Sequence, residues 1–447
     1  MIFRFIRYTQ PAWQFNIEPK LNCQFASCYI SENEFIESNA DNRYTTKSAQ
    51  IADIGYMQWN KGVLLQSTNG EIEKLKRLPE PTLKDEYIFI RKYWGNGWAT
   101  FALLMRLCTF KNPVKEISNY LKTVNVKRAV RFQEHGILQQ YEDFLSALIG
   151  EKPLVAIIIP TLNRYEYLKD VLRDLEKQAY KNFEVIVVDQ SDNFNADFYK
   201  SFQLNLKVIE QKEKLLWKAR NNAVKSTQAD YLLFFDDDSR VQPDWITEHL
   251  KCLDFFKADI SAGVSLAVVG QKISASYHFF RWADQFDSGN AMIHRSVMKK
   301  IGLFDEQFNG QRMGDGEFGF RAYTKGIKSI SNPKAFRVHL KVGTGGLREM
   351  GSWDGFRPKK WFAPKPIPSV IYLYKKYLPA PLCRNALFIG IMLSNIPYKK
   401  KGSSGMLLFS MFLTLIKSPI LLIQFARANS IANNMLKNDF GVVILDV

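Results

Sequence analysis

Acidic residues are missing from a long stretch near the end of this sequence. Between Gly355 and Asn438 there are 13 lysines and arginines and no aspartate or glutamate, which leaves only +4 of the formal net charge of +17 for the rest of the 447 residues. The basic character therefore belongs to the tail. A disordered protein is excluded, because 46% of the residues are hydrophobic and 14% are aromatic.

Cysteine is scarce and irregularly spaced. Five cysteines at positions 23, 28, 108, 252 and 383 form no Cys-x-x-Cys pair and have no matching histidine spacing. This usage favours a reduced, cytosolic setting. The amino terminus also lacks the continuous apolar core of a signal peptide, because Arg4 and Arg7 interrupt it. We therefore expect no secretion.

Two common phosphate-binding motifs are absent. No Gly-x-Gly-x-x-Gly follows the first predicted strand, which leaves a dinucleotide-binding function without support. The run Val342-Gly-Thr-Gly-Gly-Leu-Arg348 lacks the Lys-Ser or Lys-Thr pair of a phosphate loop. We interpret its glycines as a mobile loop that closes over a diphosphate, with Lys341 or Arg348 balancing the charge.

A regular alternation of apolar strands and helices begins at Leu154. Its pace is typical of parallel βαβ units and predicts an open α/β sheet that binds ligands at its strand ends. The predicted strands are Val155 to Ile159, Val185 to Val188, Leu206 to Ile209 and Tyr231 to Phe235, and the predicted helices are Tyr165 to Gln178 and Trp217 to Ser226.

Three aspartates follow the fourth strand directly. Because side chains alternate along an extended chain, Asp236 and Asp238 should point to one side and Asp237 to the other. Two carboxylates directed at one point suit a hard cation such as Mg²⁺ or Mn²⁺, and that cation suits a diphosphate. A solvated turn is the alternative interpretation of such a triplet.

Residues 1 to 150 give weaker signals. Thr46 to Gln66 and Asp85 to Tyr93 are candidate strands, so we expect a mixed α/β accessory domain. Acceptor or partner binding and simple packing are equally good interpretations of its role.

The order of motifs from about Leu154 to Leu347 resembles the inverting glycosyltransferase family 2, whose nucleotide-sugar domain has the Rossmann-like GT-A fold. The resemblance rests on segments that flank the aspartates on both sides. They are Pro153-Leu-Val-Ala-Ile-Ile-Ile-Pro-Thr-Leu-Asn-Arg164, Phe183-Glu-Val-Ile-Val-Val-Asp189, Pro243-Asp-Trp245, Ser288-Gly-Asn-Ala-Met-Ile-His294, Ile301-Gly-Leu-Phe-Asp-Glu-Gln-Phe308 and Gly314-Asp-Gly-Glu-Phe-Gly-Phe-Arg321.

The resemblance implies a set of residues that bind the nucleotide-sugar donor. These are Thr161, Asn163, Asp189, Arg220, Asn221, Asp236, Asp237, Gly289 and Asn290. A turn or helix-capping role is the alternative for Asp189, and a surface charge is the alternative for Arg220. At Gly289 the missing side chain would let the backbone approach the sugar.

The same resemblance implies the general base. Asp315 lies six residues before Arg321, where the family places its catalytic carboxylate. The glutamate that precedes this position in the family is replaced by Gly314, so Glu317 is a rival candidate. A helix amino terminus would keep Asp315 ionised, although capping the helix from Phe318 to Lys325 would also account for an aspartate.

A histidine completes the implied metal site. In metal-dependent relatives a histidine after the base joins the acidic cluster, so His339 is expected to bind Mg²⁺ or Mn²⁺ with Asp236 and Asp238. A lone histidine in an apolar strand is otherwise usually a core residue.

The basic tail contains apolar segments from Ile367 to Leu378, Ala386 to Pro397 and Met406 to Phe425. The last is long enough to span a bilayer, but Lys417 and Pro419 interrupt it and its polar residues share one face. We therefore expect a peripheral helix on the anionic cytoplasmic face of the cell membrane, with a single span as the alternative. The long aliphatic runs argue against nucleic acid.

Together these features predict an accessory domain at 1–150, a GT-A domain at 151–350 and a membrane-associating helical region at 351–447. The expected reaction is metal-dependent, inverting transfer from a nucleotide-sugar to a hydroxyl group of a lipid-linked or surface polysaccharide acceptor. A sugar nucleotidyltransferase is the first rival, but Pro160-Thr-Leu-Asn163 stands where its glycine-rich signature would be. A non-catalytic glycan-binding or scaffolding protein is the second.

Overall fold

The structure is a computed structural model that describes residues 3–9, 40–64, 70, 73–74, 77–130, 138–267, 270–283, 286–342, 355–358, 360–397, 400, 404–439 and 441–445. The chain divides into two units, one made of 1–133 and 351–438 and the other of 134–350 and 439–447. The amino-terminal segment and the tail thus share one unit, which differs from the three-part division expected from the sequence.

The described part of residues 1–133 is helical. A 3₁₀ helix spans Arg4–Tyr8, and the α-helices α1 Lys47–Asn60, α2 Leu83–Tyr93, α3 Asn96–Cys108 and α4 Pro113–Leu121 follow. The two strands expected here are wrong, because they coincide with α1 and α2. Among the described residues of this segment no strand is present, so the mixed α/β accessory domain is not seen there.

Local capping accounts for the helices that these β-prone sequences form. The Thr82 side chain accepts from the Asp85 backbone, and the Asp85 carboxylate accepts from the Thr82 backbone, which forms a capping box. Thr46 caps α1 in the same way by accepting from Ala49. Aromatic and β-branched residues such as those of α2 favour strands only weakly, so capping and burial of both helices override that preference.

The second unit is an α/β domain, as predicted. Its helices are α5 Leu138–Asp143, α6 Ala147–Glu151, α7 Tyr165–Glu176, α8 Ala196–Tyr199, α9 Leu216–Lys225, α10 Trp245–Phe256, α11 Ser296–Ile301 and α12 Gly314–Thr324. Its strands are β1 Val155–Thr161, β2 Phe183–Asp189, β3 Leu206–Glu210, β4 Tyr231–Phe235, β5 Ser239–Val241, β6 Ile260–Leu266, β7 Arg281–Trp282, β8 Asn290–His294 and β9 Ser329–His339.

These strands form one nine-stranded sheet with the order β3-β2-β1-β4-β8-β6-β9-β5, and β7 pairs with β9 off this path. The first four strands are parallel to one another, which confirms the predicted half of the sheet. β8 then runs antiparallel between β4 and β6. The apolar runs of β1 and β4 are buried because helices cover the sheet. The carboxyl ends of β1, β2 and β4 therefore lie at one edge, where the predicted site residues begin.

In the part of the tail that the structure describes, the α-helices are α13 Pro368–Tyr377, α14 Ala380–Leu393, α15 Ser404–Ile416 and α16 Ser418–Lys437. Part of it is core, because Ile389, Met392 and Leu407 are buried in one cluster with Phe3 and Phe89. The segment expected as one helix from 406 to 425 is broken at Lys417, where Pro419 opens a new helix.

The helices that the structure describes fall short of a membrane span. None of them alone is long and apolar enough to cross a bilayer. The segments Gly405–Ile416 and Ser418–Lys437 reach the necessary length and hydropathy only as a pair, and the pair is bent by 81°.

Candidate active site

Two of the three aspartates after β4 lie beside a histidine from β9. The register of the β5–β9 pair places Ser239 opposite His339, which brings the imidazole next to Asp238. One ligand atom from each of Asp236, Asp238 and His339 lies within 4.8 Å of the other two. Carboxylate oxygens and an imidazole nitrogen are competent ligands for Mg²⁺ or Mn²⁺. The structure thus brings the three predicted metal ligands together.

Asp238 provides the observation that favours a cation at this place. Its side chain is buried, and across the described ranges no donor makes a hydrogen bond to its Oδ1 atom. His339 Nε2 lies 3.1 Å from that oxygen, and Arg164 Nη1 donates to Oδ2 at 3.2 Å. Within the described structure the buried oxygen thus has only the imidazole nitrogen beside it, and because that nitrogen is itself a metal ligand, a divalent cation between the two would satisfy both atoms. These residues therefore fit a metal ion.

Asp237 lies outside the set of three candidate metal ligands, in a turn that follows β4. Its carboxylate accepts hydrogen bonds from Thr161 Oγ1 at 2.8 Å and from Arg164 Nη1 at 3.0 Å. Burial raises the pKa of Asp237 to about 6, although the Arg164 guanidinium opposes the shift. Asp237 therefore links the ends of β1 and β4 and shares Arg164 with Asp238, and these contacts do not test the role in donor binding that was expected for it.

Two arginines hold Asp236. Arg220 Nη2 donates to Oδ1 at 3.0 Å, and Arg337 Nη1 donates to Oδ2 at 2.7 Å. Burial alone would raise the pKa of Asp236, but the guanidinium groups of Arg337 and Arg220 hold it well below its usual range. Asp236 is therefore an ionised carboxylate in a fixed orientation.

Sequence reasoning missed the partner of Asp236 on β9 and a fourth carboxylate beside it. Arg337 is buried, and its Nη2 atom donates to Asp287 Oδ1 at 3.1 Å and Oδ2 at 3.0 Å. A signal was present for Arg337, because it lies two residues before His339 and alternate residues of a strand share a face. Asp287 lies in a loop, where no periodicity indicates a direction.

Gly289 lies where side chains of this network converge. A Cβ atom at this position would overlap the Asp236 carboxylate and the Arg337 guanidinium. From the sequence, this glycine was expected to permit a close approach by the donor sugar. In the structure the close approach is made by Asp236 and Arg337.

Asp315 lies in the first turn of α12, where the family resemblance places the base. Its Oδ1 atom accepts hydrogen bonds from the backbone N–H of Ser288 at 3.0 Å and from the Ser288 hydroxyl. Burial raises the pKa of Asp315 above its ordinary value, although the Arg220 guanidinium acts in the opposite direction. The expectation that the helix amino terminus keeps Asp315 ionised took no account of burial, which shifts its pKa in the opposite direction.

A chain of hydrogen bonds connects the base candidate to the acidic cluster. Arg220 Nη2 donates both to Asp236 Oδ1 and to the backbone carbonyl of Ser288, each at 3.0 Å. Ser288 in turn donates to Asp315. The two predicted centres are therefore parts of one site.

Glu317 is engaged elsewhere. Its side chain is fully buried, and Arg321 donates to Oε1 at 2.8 Å from Nε and to Oε2 at 2.9 Å from Nη2. The same guanidinium donates to the carbonyls of Ile301 and Leu303. Both oxygens of this carboxylate are thus held in a buried bidentate pair that anchors α12, which favours Asp315 over Glu317 as the candidate base.

The departure from the family pattern at Gly314 has a cause in packing. A Cβ atom on Gly314 would overlap the indole of Trp217. That indole is buried and donates from Nε1 to the carbonyl of Phe308 at 3.1 Å. It also lies against Arg220, whose Cζ is 5.1 Å from the ring centroid. Trp217 thus fills the space that a longer side chain at position 314 would need.

This packing predicts different effects for two glycines of one helix. Gly314→Ala should lower the free energy of unfolding by about 1–3 kcal/mol, because a new methyl group enters a filled space. Gly316→Ala should be neutral or stabilising by up to about 1 kcal/mol, since its Cβ would meet only Met313 Cε at 3.4 Å. Denaturant unfolding of both variants measures this, and equal stability would contradict the packing role of Trp217.

The residues predicted to bind the nucleoside lie at the ends of β1 and β2. Thr161 and Asp189 are direct neighbours across the strand pair. Asn163 has a left-handed backbone with φ of 53° and joins the two strand ends by donating from Nδ2 to Asp192 at 2.8 Å. The structure thus places these three residues at one edge of the sheet.

Asp189 has several protein partners. Its Oδ2 atom accepts from the Tyr165 hydroxyl at 2.6 Å and from the Tyr199 hydroxyl at 2.7 Å, and its Oδ1 atom accepts from the Ser191 backbone at 2.9 Å. The sequence left a turn role and a donor-binding role open for this residue. The contacts seen are those of a residue that organises the turn.

Two predicted donor-binding asparagines, Asn221 and Asn290, have their hydrogen-bond partners elsewhere than at Thr161, Asn163 and Asp189. Asn221 donates to the carbonyl of Phe304 at 3.0 Å and accepts from its backbone N–H at 3.0 Å, so it fixes the segment before α12. Asn290 accepts from Trp245 Nε1 at 2.8 Å and donates to two backbone carbonyls within the sheet. Its place as the first residue of β8 turns its side chain toward α10. The glycine loop expected to cover a diphosphate, from 343 to 348, lies outside the described residues.

Similarity to known proteins agrees with the fold. Residues 156–308 match the family model for glycosyl transferase family 2. The glycosyltransferase GlyA of Streptococcus pneumoniae is 25% identical over 170 residues, which cover 37% of this chain and 23% of the relative. The poly(ribitol-phosphate) beta-N-acetylglucosaminyltransferase TarS of Staphylococcus aureus is 30% identical over 112 residues, or 24% of this chain and 20% of the relative. The chain thus spans less than a quarter of the length of both relatives.

A solved structure also resembles this one. The mannosyltransferase PcManGT from Pyrobaculum calidifontis, in complex with GDP-Man and Mn²⁺, has 15% sequence identity and a TM-score of 0.43, with 67% of this chain and 89% of that chain covered.

Proposed function

We propose that the protein transfers a sugar from a nucleotide-diphosphate donor to a hydroxyl group of an acceptor, with inversion at the anomeric carbon, because residues 156–308 match the family model for glycosyl transferase family 2. The observation that supports this most strongly is the convergence of Asp236, Asp238 and His339 in one site with Asp315. The site lies at the carboxyl end of β4, where open α/β sheets bind ligands.

In this proposal Asp315 is the general base. It removes the proton of the acceptor hydroxyl while that oxygen attacks the anomeric carbon. A carboxylate whose pKa is raised by burial holds a proton more strongly than an exposed one and is the better base for that reason. Ser288 donates two hydrogen bonds to one carboxylate oxygen and so orients the other.

The proposed role of the acidic cluster is to bind the cation that stabilises the leaving group. Asp236, Asp238 and His339 would hold Mg²⁺ or Mn²⁺, which supplies positive charge for the departing diphosphate. Arg220 and Arg337 fix the orientation of Asp236 through both of its oxygens. Because those arginines also neutralise its charge in part, they keep a dense group of carboxylates stable within a buried site.

A lipid-linked or surface-polymer acceptor is the second part of the proposal. The name of TarS specifies poly(ribitol-phosphate) for that relative. In this chain the acid-free tail carries exposed apolar residues at the bend between α15 and α16, among them Leu415, Ile416 and Leu422. Apolar residues among cations suit the anionic cytoplasmic surface of a cell membrane, where a lipid-linked acceptor would lie.

Turnover of nucleotide-sugars tests the proposal. A panel of donors is incubated with the full chain, with Mn²⁺ or with excess chelator, and free nucleoside diphosphate is measured. We expect release from one donor class, dependent on the cation. Release of pyrophosphate from a nucleoside triphosphate would instead favour the nucleotidyltransferase. Donor binding without turnover in the presence of acceptor extracts would favour the scaffolding protein.

A further inference from the structure

One helix of the first unit displays an apolar stripe to solvent. Val114, Ile117 and Leu121 share one face of α4, since they are spaced by three and four residues, and Phe110 and Val124 lie in the turns on either side of the helix. These five residues are here called the α4 stripe, and the exposed fractions of Phe110, Val114, Ile117, Leu121 and Val124 are 97%, 75%, 43%, 58% and 44%. Scattered apolar residues on a surface are ordinary, but several large exposed apolar side chains on one helix and its flanking turns are typical of an interaction site.

The flanks of the stripe carry charge of one sign. The exposed cations Lys111, Lys115, Lys122, Lys127 and Arg128 surround it. The one acid between Thr109 and Val130 is Glu116. Its carboxylate is buried, where Arg106 Nε donates to it at 2.8 Å and the Tyr87 hydroxyl donates at 3.0 Å. Apart from the buried Glu116, the segment from Thr109 to Val130 therefore presents apolar and cationic side chains and no other carboxylate of its own.

The inner side of α4 is firmly anchored. Asn112 caps the helix by accepting from the Lys115 backbone at 3.1 Å, and Pro113 occupies the first turn. Arg91 donates to the carbonyl of Tyr120 at 3.2 Å and to Thr123 Oγ1 at 3.1 Å. The stripe is thus presented by an ordered element.

We propose that the α4 stripe is a membrane contact, separate from the tail, that lies in the interface of an anionic bilayer. Apolar side chains on one face with lysines beside them are the features by which a helix binds at the level of lipid headgroups. Each cation near an anionic leaflet adds to that attraction. A second copy of the chain is a poorer occupant, since it would bring the same cations face to face.

Vesicle flotation of the full chain tests this proposal. The vesicles contain either phosphatidylcholine alone or phosphatidylcholine with about one-third phosphatidylglycerol, which supplies an anionic surface. Ile117→Gln with Leu121→Gln removes apolar contact, and Lys115→Glu with Lys122→Glu reverses charge. We expect each double substitution to weaken binding to the anionic vesicles by at least about tenfold. For the apolar pair the reason is that burial of one large apolar side chain changes a binding constant by roughly that factor. For the lysine pair it is the loss of attraction to the anionic surface.

Matched variants separate this contact from the tail. Leu145→Gln changes a leucine that is 92% exposed beside Asp143 and should leave binding unchanged. Leu415→Gln with Ile416→Gln tests the bend of the tail in the same assay. Thermal unfolding and donor turnover without vesicles, measured for every variant, should match the wild-type protein. These readouts keep failure of the membrane contact distinct from failure of the proposed enzymatic function.

Two outcomes would overturn the proposal. If both double variants of α4 bind the anionic vesicles as strongly as the wild-type protein does, the stripe does not touch lipid. That result would favour a protein partner with an acidic face. Equal binding of the wild-type protein to neutral and anionic vesicles would remove the role assigned to the lysines.

Discussion

Asp315→Asn should lower the turnover number by about 10²–10⁴ while leaving the affinity for the donor unchanged. The substitution preserves the size of the side chain and removes the proton acceptor, so only the step that needs a base is affected. Steady-state kinetics and donor titration by calorimetry measure the two quantities separately. An unchanged turnover number would exclude Asp315 as the base.

Glu317→Gln is the matched control for this prediction. It also removes one carboxylate from the first turns of α12, but that carboxylate is buried against Arg321. Leaving one charge of a buried pair without its partner costs about 3–5 kcal/mol of unfolding free energy. The control should therefore lose stability and keep its turnover per folded molecule. The reverse pattern in the two variants would make Glu317 the base.

The pH profile gives a second readout for Asp315. A general base must be ionised, so activity is lost as the pH falls through its pKa in the folded enzyme. Because burial raises that pKa, the acid limb should lie above the ordinary range of an aspartate. In Asp315→Asn the residual activity should lack that limb. An acid limb retained by the variant would assign it to another group.

Asp238→Ala should abolish the response of donor binding to Mn²⁺ and lower turnover by at least about 100-fold. It removes a buried carboxylate whose Oδ1 atom faces His339 and accepts no hydrogen bond in the described structure. Loss of a residue that only holds a metal ligand in place lowers metal affinity or activity by about 10- to 100-fold. Loss of the ligand itself should have a larger effect. Donor titrations at increasing Mn²⁺ concentrations measure the response.

An exposed aspartate supplies the control for the metal site. Asp197 pairs with Lys200 at the surface, and its side chain is 83% exposed. Asp197→Ala should behave as wild type in the same titration. His339→Ala should weaken the response to Mn²⁺, and a normal response in that variant would assign the histidine a packing role.

The sequence predicted the parts of the fold that have strong local patterns. The buried runs of β1, β2 and β4 were found because short apolar runs without alternation are typical of strands covered on both faces. The pairing of Asp236 with Asp238 was expected from alternation along an extended chain, whereas the structure has a turn at Asp237 and Asp238, so the two carboxylates meet for another reason. His339 was reached only through the family resemblance, because its meeting with Asp238 depends on the pairing of β5 with β9.

Other features depend on tertiary contacts that no local pattern reveals. Strands were expected where α1 and α2 lie, and the caps supplied by Thr46 and Thr82 support helices there instead. Asn290 was expected at the donor site, but the strand register turns it toward Trp245. The link of Arg337 to Asp287 joins a strand to a loop and has no sequence signature.

The division of the chain was the largest difference. The tail was expected as a separate membrane-associating region, yet Ile389, Met392 and Leu407 belong to the same core as Phe3. Apolar residues on a helix predict burial without specifying whether protein or lipid covers them. Protein-covered and lipid-facing residues of α15 and α16 can be told apart only from a structure that shows which of them are buried and which are exposed.

The proposed function depends above all on a metal site formed by the acidic cluster and His339. Anomalous diffraction from crystals soaked with Mn²⁺ and a nucleoside diphosphate would locate the cation and the diphosphate together. We predict one strong manganese peak bound by Asp238 and His339, with diphosphate density in contact with it. Diphosphate bound without manganese at these residues, or a manganese peak only elsewhere on the protein, would contradict the assignment of this site.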